Sequence, residues 1–255
     1  LVLPPAFGKK KEALLPFVCT LLANFSAQNR PLVTIRYDGI NCPGESHNEA
    51  RGAVRGYEML HYRTSQGVED LRTTLDFVYD NPFFTPEKVI LVSFSLSALE
   101  VRRVLSSPDH PDIEAWVSCM GLPAAQTTLA NILAGCDIIS NYKMKVTNGI
   151  CGLLGHILDM DVVAQDLLEN RMAYLTDGRV EMSRIKVPVL WIYGSYDRWI
   201  SSEEVLDLMS VHSEGEREVF EIPSGHNLRT SEEAIRTFKL IGAYCYEKLF
   251  GETIE

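Results

Sequence analysis

The chain of 255 residues carries 34 acidic against 24 basic side chains, a formal net charge of −10, and 46% apolar residues. That length and apolar content fit one large domain with a buried core, and the acidic balance argues against a nucleic-acid partner, whose phosphates would be repelled. No run of eighteen or more uninterrupted apolar residues occurs, so no membrane span is expected.

The chain opens on LVL at 1–3, a strand-like run without an initiating Met, which points to a missing N-terminal segment or to excision from a longer protein. A helix-like KEALLPFVCTLLANF follows, then a second strand, LVTIRY at 32–37. The loop YDGINCPGES, at 37–46, reads as structural, with Asp38, Gly44 and Ser46 shaping a tight return. Next come the helix VEDLRTTLDFVYD, the strand KVILVSF at 88–94, the helix ALEVRRVLSS and the strand EAWVSCM at 114–120. After residue 185 the chain gives PVLWIYG at 188–194, SEEVLDLMSVH, REVFEI at 217–222 and SEEAIRTFKLIGAYCYEKLF. Ser202 and Ser231 precede paired glutamates, which suits helix N-termini with acidic first turns.

The six strand-like runs are β-branched or aromatic and lack strict alternation, as strands buried on both faces do. Their alternation with helices predicts an α/β fold, a mostly parallel central sheet with helices on both faces. Residues 122–185 break the rhythm: LANILAGCDII, GICGLLGHILDM and VVAQDLLENRMAYL show no convincing strand. The expected organisation is a core of 1–121 and 186–255 with a helical insertion at 122–185. That insertion is either a plain subdomain or a lid, and its place in an open sheet favours the lid, because ligands bind beyond the strand carboxyl ends.

Six cysteines (Cys19, Cys42, Cys119, Cys136, Cys151, Cys245) without a CxxC read as reduced core thiols, and so imply a cytosolic location. The six histidines are scattered, with no HxxxH spacing, and neither a metal nor another cofactor is expected.

Ser95 lies between the strand KVILVSF and the helix SALEVRRVL. A strand–Ser–helix turn is sharp and lifts the serine oxygen above the sheet, and the positions two before and two after it must be small. Ser93 and Ser97 hold those positions where glycine is usual, so SFSLS is a degenerate nucleophile elbow, and by itself a weak signal. Asp197 follows the strand PVLWIYG, and His226 follows REVFEI in the loop PSGHNL. The order Ser, Asp, His, each at a strand's carboxyl end, is that of a hydrolytic triad. LPPAF at 3–7 ends the first strand and offers the Phe7 N–H to an oxyanion hole, and Leu96, after the nucleophile, offers a second.

On LPPAFGKK, IRYDGI, SFSLSA, VPVLWIYGSYDRWISSEEVLDLM and SGHNL, the chain resembles the α/β-hydrolases. Within them it is similar to the lux-specific acyltransferases, the myristoyl-ACP thioesterases of bacterial bioluminescence. The resemblance spreads along nearly the whole chain, and that family also has a non-glycine residue before its nucleophile. It implies that Ser95 is acylated, with Asp197 the acid and His226 the base. Ala6 departs from the family's oxyanion-loop glycine, the family's strands ahead of LPPAF are not seen here, and residues 122–185 match poorly. The implied substrate is an acyl thioester or ester, fatty-acyl or polyketide-like, with acyl carrier protein as a candidate donor. An acidic carrier would need local positive charge. Lys9, Lys10, Lys11, Arg102 and Arg103 are the candidates for that docking, or else plain solvated helix faces.

The rival readings are an esterase or lactonase acting on small esters, a releasing domain of a larger acyl-assembly enzyme, and a non-catalytic ligand-binding or scaffolding member of the fold. Epoxide hydrolase or dehalogenase chemistry is disfavoured, since those enzymes place aspartate at the elbow.

Overall fold

A computed structural model describes residues 1–49 and 54–253. Six strands form one parallel sheet: β1 (Val2–Leu3), β2 (Ile35–Arg36), β3 (Ile90–Phe94), β4 (Ala115–Cys119), and two more after the insertion. With the intervening hairpin counted as β5 (Ile150–Leu153) and β6 (His156–Asp159), those last two are β7 (Val189–Gly194) and β8 (Arg217–Ile222). The sheet order is β2-β1-β3-β4-β7-β8. All six predicted strands are present; β8 keeps its full predicted length and the other five are shorter than their apolar runs.

Alternation within each central strand explains its continuous apolar reading. Leu91, Trp116 and Trp191 point to one face, whereas Ile90, Val92, Val117 and Ile192 point to the other. On the first face lie α2 (Thr64–Tyr79), α3 (Ser97–Leu105), α7 (Leu175–Met182) and α8 (Ser202–Met209), around an edge-to-face pair of Trp116 and Trp191 with centroids 5.5 Å apart. On the second lie α1 (Leu15–Ala27) and α9 (Ser231–Phe250), with Phe17 and Phe25 buried between them and the sheet. The edge strand β8 departs from the expectation of burial on both faces: Arg217–Glu221 stay largely open, with Phe220 40% exposed.

Caps at α8 and α9 sit one residue earlier than read from sequence. The Ser201 hydroxyl accepts the Glu204 N–H and the Thr230 hydroxyl accepts the Glu233 N–H, so Ser202 and Ser231 are the first helical residues. In the loop after β2, Asp38 accepts from Lys11 N at 2.7 Å and Glu45 N at 3.0 Å, and Gly44 runs past it at φ 139. A Cβ at Gly44 would fall 2.3 Å from Asp38 Cγ, so the tight return needs a glycine there.

Residues 122–185 are not all helix. Between α4 (Ala125–Ile132), α5 (Ile138–Lys143), α6 (Met160–Glu169) and α7 runs the antiparallel hairpin β5–β6, in the segment read as the helix-like GICGLLGHILDM. Its two-residue turn, Leu154–Gly155, has φ of 49° and 90°. Two positive φ values make the tight turn whose twist suits a hairpin, and Gly155 is the sequence signal for it. The cysteines also differ from expectation: Cys42, Cys119 and Cys245 are core thiols, but Cys19 and Cys136 are exposed and Cys151 is intermediate. Cys19 lies on an outer face of α1 and Cys136 in the turn before α5, so neither is packed.

Candidate active site

Parallel register brings the strand ends to one edge. Val2 pairs with Leu91, Cys119 with Phe94, Cys119 again with Ile192, and Gly194 with Ile222. The loops after β1, β3, β7 and β8 therefore leave the sheet side by side, carrying Phe7, Ser95, Asp197 and His226.

Ser95 has φ 58°, a left-handed backbone that costs a non-glycine residue roughly 1–2 kcal/mol. Its surroundings hold it there. The Ser95 N–H donates to the Cys119 carbonyl at 3.0 Å, and the Ser95 carbonyl accepts from Ala98 N at 3.1 Å and Leu122 N at 3.3 Å. The flanking serines do more than stay small. Ser93 Oγ accepts the Trp116 indole N–H at 2.8 Å, and Ser97 Oγ accepts the Phe94 N–H at 3.0 Å and donates to the Phe94 carbonyl at 2.9 Å. Each hydroxyl thus closes a polar group that glycine would leave without that partner.

Ser95 Oγ lies 2.8 Å from His226 Nε2, and His226 Nδ1 lies 2.7 Å from Asp197 Oδ2. The other Asp197 oxygen accepts the N–H groups of Trp199 at 2.9 Å and Ile200 at 3.2 Å. Those two bonds fix the carboxylate, whose side chain is 1% exposed, so that one oxygen faces the imidazole. Trp199, which the sequence did not single out, places its ring 4.6 Å from that of His226 at 44°. Its position two residues after Asp197 in YDRW was the available signal. A cleft of about 690 Å³ opens beside the pair, bordered by Tyr196, Trp199 and His226.

Among the described residues, neither the Phe7 nor the Leu96 N–H donates a hydrogen bond. Leu96 immediately precedes α3, so its N–H adds to the positive end of that helix. The Phe7 ring is held edge-on between Tyr62, at 5.4 Å, and His156 of the hairpin, at 6.1 Å. Gly8, with φ 66°, lies so close to the hairpin that a Cβ there would fall 2.2 Å from His156 Nε2. The inserted segment therefore touches the Phe7 loop directly. Burial, with Lys9 nearby, holds the His156 imidazole below its usual pKa.

The basic residues divide. Lys9 and Lys10 are exposed, but the Lys11 ammonium pairs with Glu45 and, at 3.2 Å, with Asp38. Arg102 is not a docking residue: it is fully buried, with Nε 2.7 Å from Glu181 Oε2 and one Nη 2.8 Å from the Pro123 carbonyl. The arginine faces inward on α3, and a carboxylate from α7 supplies the counter-charge that makes its burial tolerable. Arg103 is partly exposed but is also committed, to Glu181 at 2.9 Å and to the Arg171 carbonyl at 3.0 Å.

Comparison with known proteins agrees with this architecture. A family model described as "Acyl transferase" matches residues 17–240. An acyl transferase of Photorhabdus laumondii is 23% identical over 205 residues, 80% of this chain and 61% of the relative, so the chain spans less than two thirds of that protein's length. Among solved structures, the Est1E protein of Butyrivibrio proteoclasticus with bound ferulic acid superposes with a TM-score of 0.70 at 13% identity, over 97% of this chain and 88% of that one. A monoacylglycerol lipase of Paleococcus ferrophilus gives 0.67 at 16% identity, over 97% and 93%. At such identities the structural likeness shows the α/β-hydrolase fold alone. No helix among the described residues is long and apolar enough to cross a membrane. With a model match over most of its length, and with the fold to go with it, the chain belongs to the acyl transferase family.

Proposed function

We propose that this protein is a serine acyltransferase or acyl-thioesterase that works through an acyl-Ser95 intermediate. The observation that carries the reading is the relay from Ser95 Oγ through His226 to Asp197, at 2.8 and 2.7 Å, with the serine on a left-handed turn. As Ser95 Oγ attacks the acyl carbonyl, its proton passes to His226 Nε2, and Asp197 stabilises the resulting imidazolium. The carbonyl oxygen becomes an oxyanion held by the Phe7 and Leu96 amides, each worth ~10²–10³ in rate. Collapse expels the thiolate, which takes the proton from His226, and leaves the acyl-enzyme for water or another acceptor.

The preferred substrate in this reading is a long acyl thioester, fatty-acyl or polyketide-like, with the insertion 122–185 acting as lid. Each methylene that it buries would contribute ~0.8 kcal/mol. Lys9 and Lys10, beside the Phe7 loop and free of ion pairs among the described residues, are the side chains that would meet an acidic carrier protein. Six free thiols are in keeping with a reducing, cytoplasmic setting. The open cleft beside Trp199 and His226 favours a second reading, hydrolysis of small esters.

Intact mass spectrometry after mixing with acyl thioesters of graded chain length tests both readings, with Ser95→Ala alongside. An adduct on the native protein alone supports the acyl-enzyme and reports the preferred chain. Turnover of small esters with no thioester reaction favours the second reading, and full-rate turnover by Ser95→Ala refutes the triad. Charge reversal at Lys9 and Lys10 should weaken carrier-bound donors and spare small esters.

A further inference from the structure

Two cations border the cleft beside His226 and have no part in the relay. Arg198 and Arg229 are both exposed and share its wall with Tyr196, Trp199 and Asn227. Among the described residues neither guanidinium has an ion-pair or hydrogen-bond partner, unlike Arg171 and Arg179, which pair with Asp177 and Asp207. Two carboxylates border the same cleft. Asp197 is bound through both oxygens, to His226 and to the N–H groups of Trp199 and Ile200, and Glu233 Oε2 accepts the Ser224 hydroxyl at 2.7 Å. Neither lies within ion-pair distance of Arg198 or Arg229.

Both arginines rise from anchored backbone. Arg198 lies inside the turn that the Trp199 and Ile200 N–H groups close on Asp197, and the Asn131 side chain of α4 holds that turn through the Trp199 carbonyl at 3.0 Å. Arg229 immediately precedes Thr230, the cap of α9. It follows His226 by three residues, so the two Cα atoms lie within about 11 Å of each other. With the backbone fixed, binding a ligand here would cost side-chain freedom and little more.

Their place decides what they can meet. His226 returns its proton to the departing sulfur, so the leaving thiol sits on the His226 side, and His226 itself borders this cleft. A chain of net charge −10 repels an anionic leaving group as a whole, and two uncompensated arginines beside the relay are a local exception. The guanidinium fork matches phosphate oxygens in charge and in geometry.

We propose that Arg198 and Arg229 set donor specificity by binding a phosphate carried on the leaving thiol, that of a phosphopantetheine arm, while the acyl group passes to Ser95. The inference rests on the acyl-thioester reading.

The test compares kcat/KM for one acyl group, octanoyl, on pantetheine and on 4′-phosphopantetheine, with the released thiol followed by chromatography. These substrates differ in the phosphate alone. The native protein should favour the phosphorylated thiol by about tenfold, Arg198→Ala and Arg229→Ala should each lower that ratio to about threefold, and the double variant should bring it to about one. Both thioesters use the same triad, so any harm from a change beside Asp197 cancels in the ratio. Octanoyl-coenzyme A and octanoyl-acyl carrier protein present the same phosphate. Both should lose rate in the double variant relative to octanoyl-pantetheine, and the one with the higher native kcat/KM is the donor that the site fits. A native ratio near one, or a ratio unchanged in the double variant, overturns the inference and leaves the thioester reading standing. A loss confined to the carrier-protein donor also overturns it, because the arginines would then touch the protein and not the arm. Fluorophosphonate labelling of Ser95 without turnover of any thioester overturns the thioester reading and this inference together.

Discussion

Arg102 and Glu181, 79 residues apart in sequence, form an ion pair with both side chains closed off from solvent, Nε to Oε2 at 2.7 Å. It joins the elbow helix α3 to α7 at the end of the insertion, and Arg103 adds a second cation to the same carboxylate. Removing one partner of a buried pair leaves an uncompensated charge, which is far worse than never having had the pair. Glu181→Ala should therefore cost roughly 3–5 kcal/mol in urea unfolding. Glu214→Ala, which breaks the exposed Lys186–Glu214 pair, should cost under about 1 kcal/mol. Equal costs would show that Arg102 finds water or another partner.

Ser93→Gly installs the residue more usual at this elbow and should still destabilise. The Trp116 indole, buried against Trp191, loses its acceptor, and an orphaned buried N–H costs about 1–3 kcal/mol. Ser93→Ala should cost a similar amount. A neutral Ser93→Gly would mean that the flanking serine matters only for its size.

Asp197→Asn should leave the fold unchanged and lower turnover on any accepted substrate by about 10⁴, because the amide no longer holds the required imidazole tautomer. The two backbone bonds from Trp199 and Ile200 need only one oxygen, which asparagine retains. Near-native turnover in this variant, measured with far-UV circular dichroism as the folding control, would remove Asp197 from the relay.

Stability should fall with rising pH on account of Glu100, a buried carboxyl on α3. Its folded pKa is raised to about 8 from an ordinary 4.5, so between those values the folded state binds more protons than the unfolded state. The group's favourable contribution is therefore whole at pH values below the ordinary one and is lost progressively up to about pH 8. The full span corresponds to on the order of 5 kcal/mol. Urea midpoints across that window should fall more steeply for the native protein than for Glu100→Gln, and parallel slopes would contradict the assignment.

The central strands were legible because their residues serve both faces of the sheet in turn, so KVILVSF and PVLWIYG read as unbroken apolar runs. The meeting of Ser95, Asp197 and His226 was legible for a related reason: a parallel sheet gathers strand ends, so residues just after strands come together without any local sequence cue. What failed was whatever depended on a distant partner. Arg102 beside Arg103 looks like surface charge until Glu181 arrives from another helix. The hairpin at 150–159 looks like an apolar helix because its strands are four residues each, too short to display a period. Trp199 and the Tyr62–Phe7–His156 stack are contacts between loops, and spacing along the chain says nothing of them.

The contact of His156 with Phe7 and Gly8 ties two properties that engineers usually treat as separable. If the insertion selects the acyl chain and the Phe7 amide holds the oxyanion, as proposed, the same segment also buttresses that amide. Grafting a relative's segment over 122–185 would then alter rate as well as chain-length preference, since a new side chain at position 156 meets a backbone with no Cβ to spare. On the proposed reading, retuning selectivity in this scaffold would require changing residues 8 and 156 together.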